Sequence, residues 1–111
     1  MLKNNETHFV GQINQKALIQ KEGKVLLVKY PDYSDKHPIK ARGKWDMPGG
    51  RLNVGEKTLA GLKREVFEEI GTKISVQKIL TVGTFVNLGG QPNFFIIYEC
   101  SLENDNVAFK I

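Results

Sequence analysis

One helical repeat stands between glycine stops in a chain whose other apolar runs read as strands, and that helix limits the folds available. In WDMPGGRLNVGEKTLAGLKREVFEEIGT, Trp45 to Thr72, the residues Leu59, Leu62, Val66 and Ile70 recur near 3.6-residue spacing and form one apolar stripe. The helix is expected from about Asn53 or Glu56 to Ile70, with Gly71 as a left-handed stop. Ahead of it, Pro48 keeps Met47 out of the helical region, and Gly49 and Gly50 permit backbone angles closed to other residues. WDMPGG is therefore a short extended segment that ends in a tight turn.

The flanks are β-rich. From about Gln15, ALIQ and VLLVKY surround KEGK, where Gly23 can supply a hairpin turn, and ISVQKILTVGTFVN and FFIIYECSL surround the loop LGGQPN. Pro31 to Lys44 carries two prolines and no periodicity, which marks a long loop of the kind that borders functional sites. The order β-β-loop-β-α-β-β predicts an α+β fold, a mixed or antiparallel sheet with one helix packed on it. Runs such as VLLV and FFII are continuous rather than alternating, so both sheet faces are expected to be apolar. A second cover is then required, from a partner chain, which makes a homodimer reasonable, or from sequence beyond Ile111.

The 111 residues make one domain, and 41% hydrophobic with 25% charged residues is a globular composition. No apolar run reaches the roughly 20 residues that span a bilayer, and MLKNNETHFV lacks a signal core, so the expected address is the cytoplasm with no membrane partner. Cys100, the single cysteine, sits in an apolar run and reads as a reduced core residue. A net charge of +4 raises a nucleic-acid-binding module as a rival reading, but the lysines are scattered, with no basic block and no interleaved aromatics.

The helix carries its acids in an unfavourable place. Glu65, Glu68 and Glu69 stand at i, i+3 and i+4 in the closing turns, beside the apolar stripe. Like charges at this spacing cost about 0.2–0.5 kcal/mol per pair, and acids facing the negative end of the helix dipole lose about 0.3–1 kcal/mol each. Arg64 can reach Glu68 and offset part of this. A divalent cation would turn the repulsion into attraction, because hard cations take converging carboxylate oxygens. A solvated acidic face stays open as the other reading. Glu56, expected in the first turn, suits the dipole and can form a capping-box-like pair with Asn53.

Laid out in order, Gly50, five residues, Glu56, seven residues, Arg64-Glu65-Val66, one residue, Glu68-Glu69, one residue and Gly71 is similar to the signature of the Nudix (MutT-like) hydrolases, and WDMPGG resembles the segment that leads into it. Thr72 departs from the aliphatic residue preferred at the last position; Ile74 can pack in its place. The resemblance implies an α/β/α sandwich, and a hydrolase that cuts the pyrophosphate bond of a nucleoside diphosphate linked to another group, using Mg²⁺ or Mn²⁺. It implies Glu68 and Glu69 as metal ligands, Gly49 as a backbone-carbonyl ligand, and Glu65 as a further ligand or general base. Arg64 and Glu56 resemble the pair that orients those glutamates. The family usually continues past a FFIIYEC-like strand into another acidic segment and a closing helix, so residues 1–111 read as one such domain truncated at its C-terminus, with the closing helix missing. Glu99, Glu103 and Asp105 are the acids left there.

Arg42, Lys44 and Arg51 flank the expected site as phosphate contacts, and Trp45 can stack on a base or belong to the core. His8 and His37 lie outside the signature and read as surface residues; Phe9 and Phe85 read as core or interface. A nucleotide is the expected small-molecule partner. The rival within the family is a catalytically silent domain that binds a nucleotide as a sensor.

Overall fold

A computed structural model of the chain describes residues 7–30 and 43–104. Strand β1 (Gln12–Lys21) alternates: Gln15, Ala17 and Ile19 are buried, while Asn14, Lys16 and Leu18 face the other way and are half-buried. A turn with positive φ at Glu22 and Gly23 leads into β2 (Lys24–Val25), as the KEGK hairpin predicts. The run VLLVKY does not continue as one strand. It divides after Val25, and β3 (Val28–Lys29) leaves to pair with β4 (Trp45–Asp46) in a separate two-stranded ladder. That pairing is long-range in sequence, and no local periodicity announces it.

Strand β5 (Gly49–Arg51) lies antiparallel on β1, with Gly49 opposite Lys16 and Gly50 opposite Gln15. After the helix α1 (Thr58–Ile70), β6 (Ile74–Val86) and β7 (Pro92–Leu102) form the expected hairpin. Its turn is closed by Gly90 and Gln91, whose N–H groups donate to the carbonyl and side chain of Asn87. β7 runs parallel to β1, so the sheet is mixed, in the order β2-β1-β7-β6 with β5 also on β1.

Helix α1 lies on one face of this sheet. Leu62 and Val66 are fully buried in a core with Ala17, Ile19, Ile74, Tyr98 and Cys100, and each contributes about 1.5–3 kcal/mol by leaving water. Ile70 packs at the margin, whereas Leu59, expected on the same stripe, is 44% exposed. Buried Gln15 accepts a hydrogen bond from the Tyr98 hydroxyl (2.7 Å) and donates to the Thr58 carbonyl (2.8 Å), tying the start of α1 to β1 and β7. Cys100 is free and buried, and burial pushes its thiol up to about 11, in keeping with a reduced core residue.

Two further expectations change. α1 begins at Thr58, so Glu56 precedes the helix; Lys57 caps it in an extended conformation without a side-chain bond. The Asn53–Glu56 pair forms its own turn instead, with Glu56 N–H donating to the Asn53 carbonyl (3.1 Å) and Asn53 N–H to the Glu56 carboxylate (2.8 Å). β7 alternates rather than burying a continuous run: Ile96, Tyr98, Cys100 and Leu102 are buried, while Phe95, Ile97 and Glu99 are half-buried on the opposite face. Gly71 ends α1 as predicted, at φ 74° with its N–H on the Phe67 carbonyl (2.8 Å). Among the described residues no helix is long and apolar enough to cross a membrane.

Candidate active site

The 3.6-residue repeat that buries Leu62 and Val66 turns Arg64, Glu65, Glu68 and Glu69 toward the end of the sheet where β5 meets β1. Arg64 is the hub. Its Nε and Nη2 grip the Glu56 carboxylate at 2.6 and 2.9 Å, Nη2 also lies 3.2 Å from Glu65, and Nη1 lies 3.2 Å from Glu68. A planar guanidinium presents donors in a fixed fork, so one bidentate grip on Glu56 sets the plane from which it holds the other two acids. The Arg64 bonds, with the Asn53 N–H, bring the Glu56 carboxyl down to about 2. Its interactions with Glu56 raise Arg64 further above its already high range. The pairing of Arg64 with Glu68 is the one expected at i,i+4.

The Gly-Gly turn fixes the other two carboxylates. Gly49 has φ 142°, open mainly to glycine, and its N–H donates to Glu69 at 2.7 Å. Gly50 serves differently: a Cβ there would stand 2.7 Å from the Glu65 carboxylate, so the missing side chain makes the space that this carboxylate fills. Partial burial raises the Glu69 carboxyl; the Gly49 N–H and Lys16 work against that shift, while Glu65 and Asp46 add to it. Glu65 and Glu69 thus share one partly desolvated corner against the backbone of β5.

A second cluster beside this corner was not legible in the sequence. The Lys16 ammonium lies 3.1 Å from Asp46 and 3.3 Å from the Tyr30 hydroxyl, which donates to Asp46 at 2.9 Å. Asp46 also accepts the Met47 N–H at 2.7 Å. These residues come from β1, from the end of β3 and from β4. Only the non-local ladders bring them together, and the one available hint was the polar Lys16 inside an otherwise alternating strand.

The remaining expected site residues are dispersed. Arg51 is exposed at the end of β5, and Lys44 is exposed beside β4 with its carbonyl taken by the Tyr30 N–H (2.8 Å). Trp45 is 53% exposed, which removes the core reading. Arg42, His37 and Asp105 lie outside the described residues. His8 is exposed, Phe9 and Phe85 are half-exposed, and Phe85 tilts against Phe95 with ring centres 6.1 Å apart. Glu99 pairs with Lys78 on the sheet, away from the helix face.

Carboxylate and carbonyl oxygens are the donors that Mg²⁺ and Mn²⁺ take, and the Gly49 N–H on Glu69 and the seat of Glu65 over Gly50 bring two carboxylates to one stretch of β5. Among the described residues, however, no three Asp, Glu, His or Cys side chains are drawn together closely enough to hold a metal ion.

The chain matches the NUDIX domain family model over residues 16–109. It is 33% identical over 104 residues to the nucleoside triphosphatase NudI of Salmonella agona, covering 84% of this chain and 70% of that protein. It is 40% identical over 62 residues to the nucleoside triphosphatase NudI of Escherichia fergusonii, covering 56% of this chain and only 41% of that relative's length. The MutT protein from Methanosarcina mazei Go1 superposes with a TM-score of 0.72 at 28% identity, covering 95% of this chain and 75% of that one.

Proposed function

This chain belongs to the NUDIX domain family, and from that premise we propose that it is a divalent-cation-dependent hydrolase of the pyrophosphate bond in a nucleoside diphosphate linked to another group. Nucleoside triphosphates are the first class to test, because two relatives, matched over 84% and 56% of this chain, are named nucleoside triphosphatases. The observation that carries the reading is the fork from Arg64 to Glu56, which leaves one guanidinium holding both Glu65 and Glu68.

On this reading Glu65, Glu68 and Glu69, with the Gly49 carbonyl, would have to draw closer together to hold Mg²⁺ or Mn²⁺, since no three of the described acids lie close enough in the structure. When bound, such a cation neutralises phosphate charge and makes water a better nucleophile near neutral pH. The rest is work for the chain itself. Glu56 locks the plane of Arg64, and Arg64 in turn aims Glu65 and Glu68. The Gly49 N–H aims Glu69. On this reading Glu65, seated on Gly50, would take a proton from water, and the exposed Lys44 and Arg51 would offer cationic contacts to phosphate. The exposed face of Trp45 is available to stack on a base.

The test is phosphate or pyrophosphate release from a nucleotide panel in the presence of Mg²⁺ or Mn²⁺. Turnover is expected to fall about 10–100-fold in Arg64→Ala, the usual effect of losing a group that orients ligands, and further in Glu69→Gln. A folded wild-type protein that releases nothing from any nucleotide would sink the hydrolase reading. Binding without turnover would leave a nucleotide-binding module in its place.

A further inference from the structure

We infer that Lys16 is the chain's own contact to a phosphate of the substrate, held ready by Tyr30 and Asp46. The inference rests on the hydrolase reading above. Lysines are mostly exposed, yet the Lys16 side chain is only 17% exposed. It is also held from several sides, by Asp46 at 3.1 Å, by the Tyr30 hydroxyl at 3.3 Å, and by the Tyr30 ring, whose centre lies 6.0 Å from the ammonium. Asp46 is itself fixed by the Tyr30 hydroxyl and the Met47 N–H. The result is a cation of set position rather than a mobile surface charge.

Its place in the fold gives that position a use. Lys16 is the ladder partner of Gly49 on β5, and Gly49 N–H is the group that holds Glu69. The Lys16 side chain leaves β1 on the face away from the helix, and where β5 pairs with β1 its charge and that of Asp46 still bear on Glu69. A corner lined with Glu65, Glu69 and Asp46 repels a polyphosphate chain, and a fixed positive charge beside it offsets that repulsion. An ammonium has three N–H donors and no acceptor; Asp46 and Tyr30 account for two of them, and the third suits a phosphate oxygen. Burial opposes the Lys16 charge, but Tyr30 and Asp46 more than offset it and raise the ammonium's pKa, so the cation they hold stays charged.

The experiment compares wild type, K16M and K16R in Mg²⁺ for binding a methylene-bridged, non-hydrolysable nucleoside triphosphate analogue and the unphosphorylated nucleoside. K16M is expected to weaken the analogue about ten-fold or more, the effect of one lost charge-assisted hydrogen bond, and to leave the nucleoside unchanged. In turnover of the natural triphosphate, K16M should raise KM with kcat within a few-fold of wild type, and K16R should recover most of the affinity. K16Q, polar and of similar length, replaces K16M should the latter fail to fold. Equal analogue affinity in wild type and the neutral variant overturns the assignment, as does a loss shared equally by analogue and nucleoside, which marks a merely structural pairing with Asp46. A wild-type protein that neither binds nor turns over any nucleotide fails earlier, at the hydrolase reading, before any Lys16 variant is compared.

Discussion

Gly49 and Gly50 stand side by side for different physical reasons, and substitution separates them. At Gly49 the backbone is at φ 142° and an added Cβ would run into the Gln15 carbonyl, so backbone must move. Gly49→Ala should destabilise by about 1–3 kcal/mol, seen as a lower Tm. From sequence, Gly50 also looked necessary for its backbone angles; in the structure it makes room for the Glu65 carboxylate, the far end of a flexible side chain. Gly50→Ala should therefore leave Tm within a few degrees of wild type and lower turnover at least ten-fold, a loss of about 1.4 kcal/mol in the barrier. A fall in Tm without loss of turnover would refute this account of Gly50. Glu69 shows the opposite balance, since burial and neighbouring acids raise its carboxyl. Glu69→Gln removes an anion from the helix terminus, worth about 0.3–1 kcal/mol, while its amide oxygen can keep the Gly49 bond. The metal-free variant should melt higher than the metal-free wild type, although it is the less active protein.

On the scale of one element, α1 is held at its start by a contact outside the helix. Glu56 lies before Thr58, and its carboxyl is brought down to about 2 from an ordinary 4.5, first by Arg64 and then by the Asn53 N–H. A carboxyl depressed on folding binds fewer protons in the folded state, so its stabilisation is present above about 4.5 and is lost as pH falls through about 2. The Tm of wild type should exceed that of Glu56→Gln at neutral pH, and the two curves should converge between pH 4.5 and 2. A gap that persists to the acid end would assign the difference to packing. The helix itself was legible because its information is local: the Leu62–Val66 period, the Gly71 stop and the i,i+4 reach of Arg64 all lie within a few turns. Both Gly-rich hairpins were legible for the same reason. What escaped depends on distant pairings. The division of VLLVKY into β2 and β3 follows from Trp45 and Asp46 arriving opposite Val28 and Lys29, and the Lys16–Tyr30–Asp46 cluster exists only once those ladders close. The start of α1 was misplaced because the Asn53–Glu56 turn uses the same residue types as a capping box and differs only in where the helical angles begin.

At the scale of the molecule, one helix among the described residues covers part of one sheet face, and among those residues the cover runs out along the β6–β7 hairpin. Ile79, Val82, Phe85 and Val86 on β6 are each about half exposed or more, so that arm adds ladder hydrogen bonds but little apolar burial. A small domain has a modest stability margin in any case, and here the acids of α1 subtract from it. The fold is therefore sensitive to anything that binds only the folded state. At a cation concentration 100 times the dissociation constant, the gain is about 2.7 kcal/mol. In a domain of this size, each 1 kcal/mol moves Tm by about 4–8 °C. Saturating Mn²⁺ or Mg²⁺ should thus raise the wild-type Tm by roughly 10 °C or more, and Glu69→Gln should remove most of that rise while starting from a higher metal-free value. The crossing of the two variants is the decisive result. Charge screening alone would be reproduced by a monovalent salt at matched ionic strength, whereas cation held between carboxylates lifts only the protein that keeps them all and does so only with Mg²⁺ or Mn²⁺.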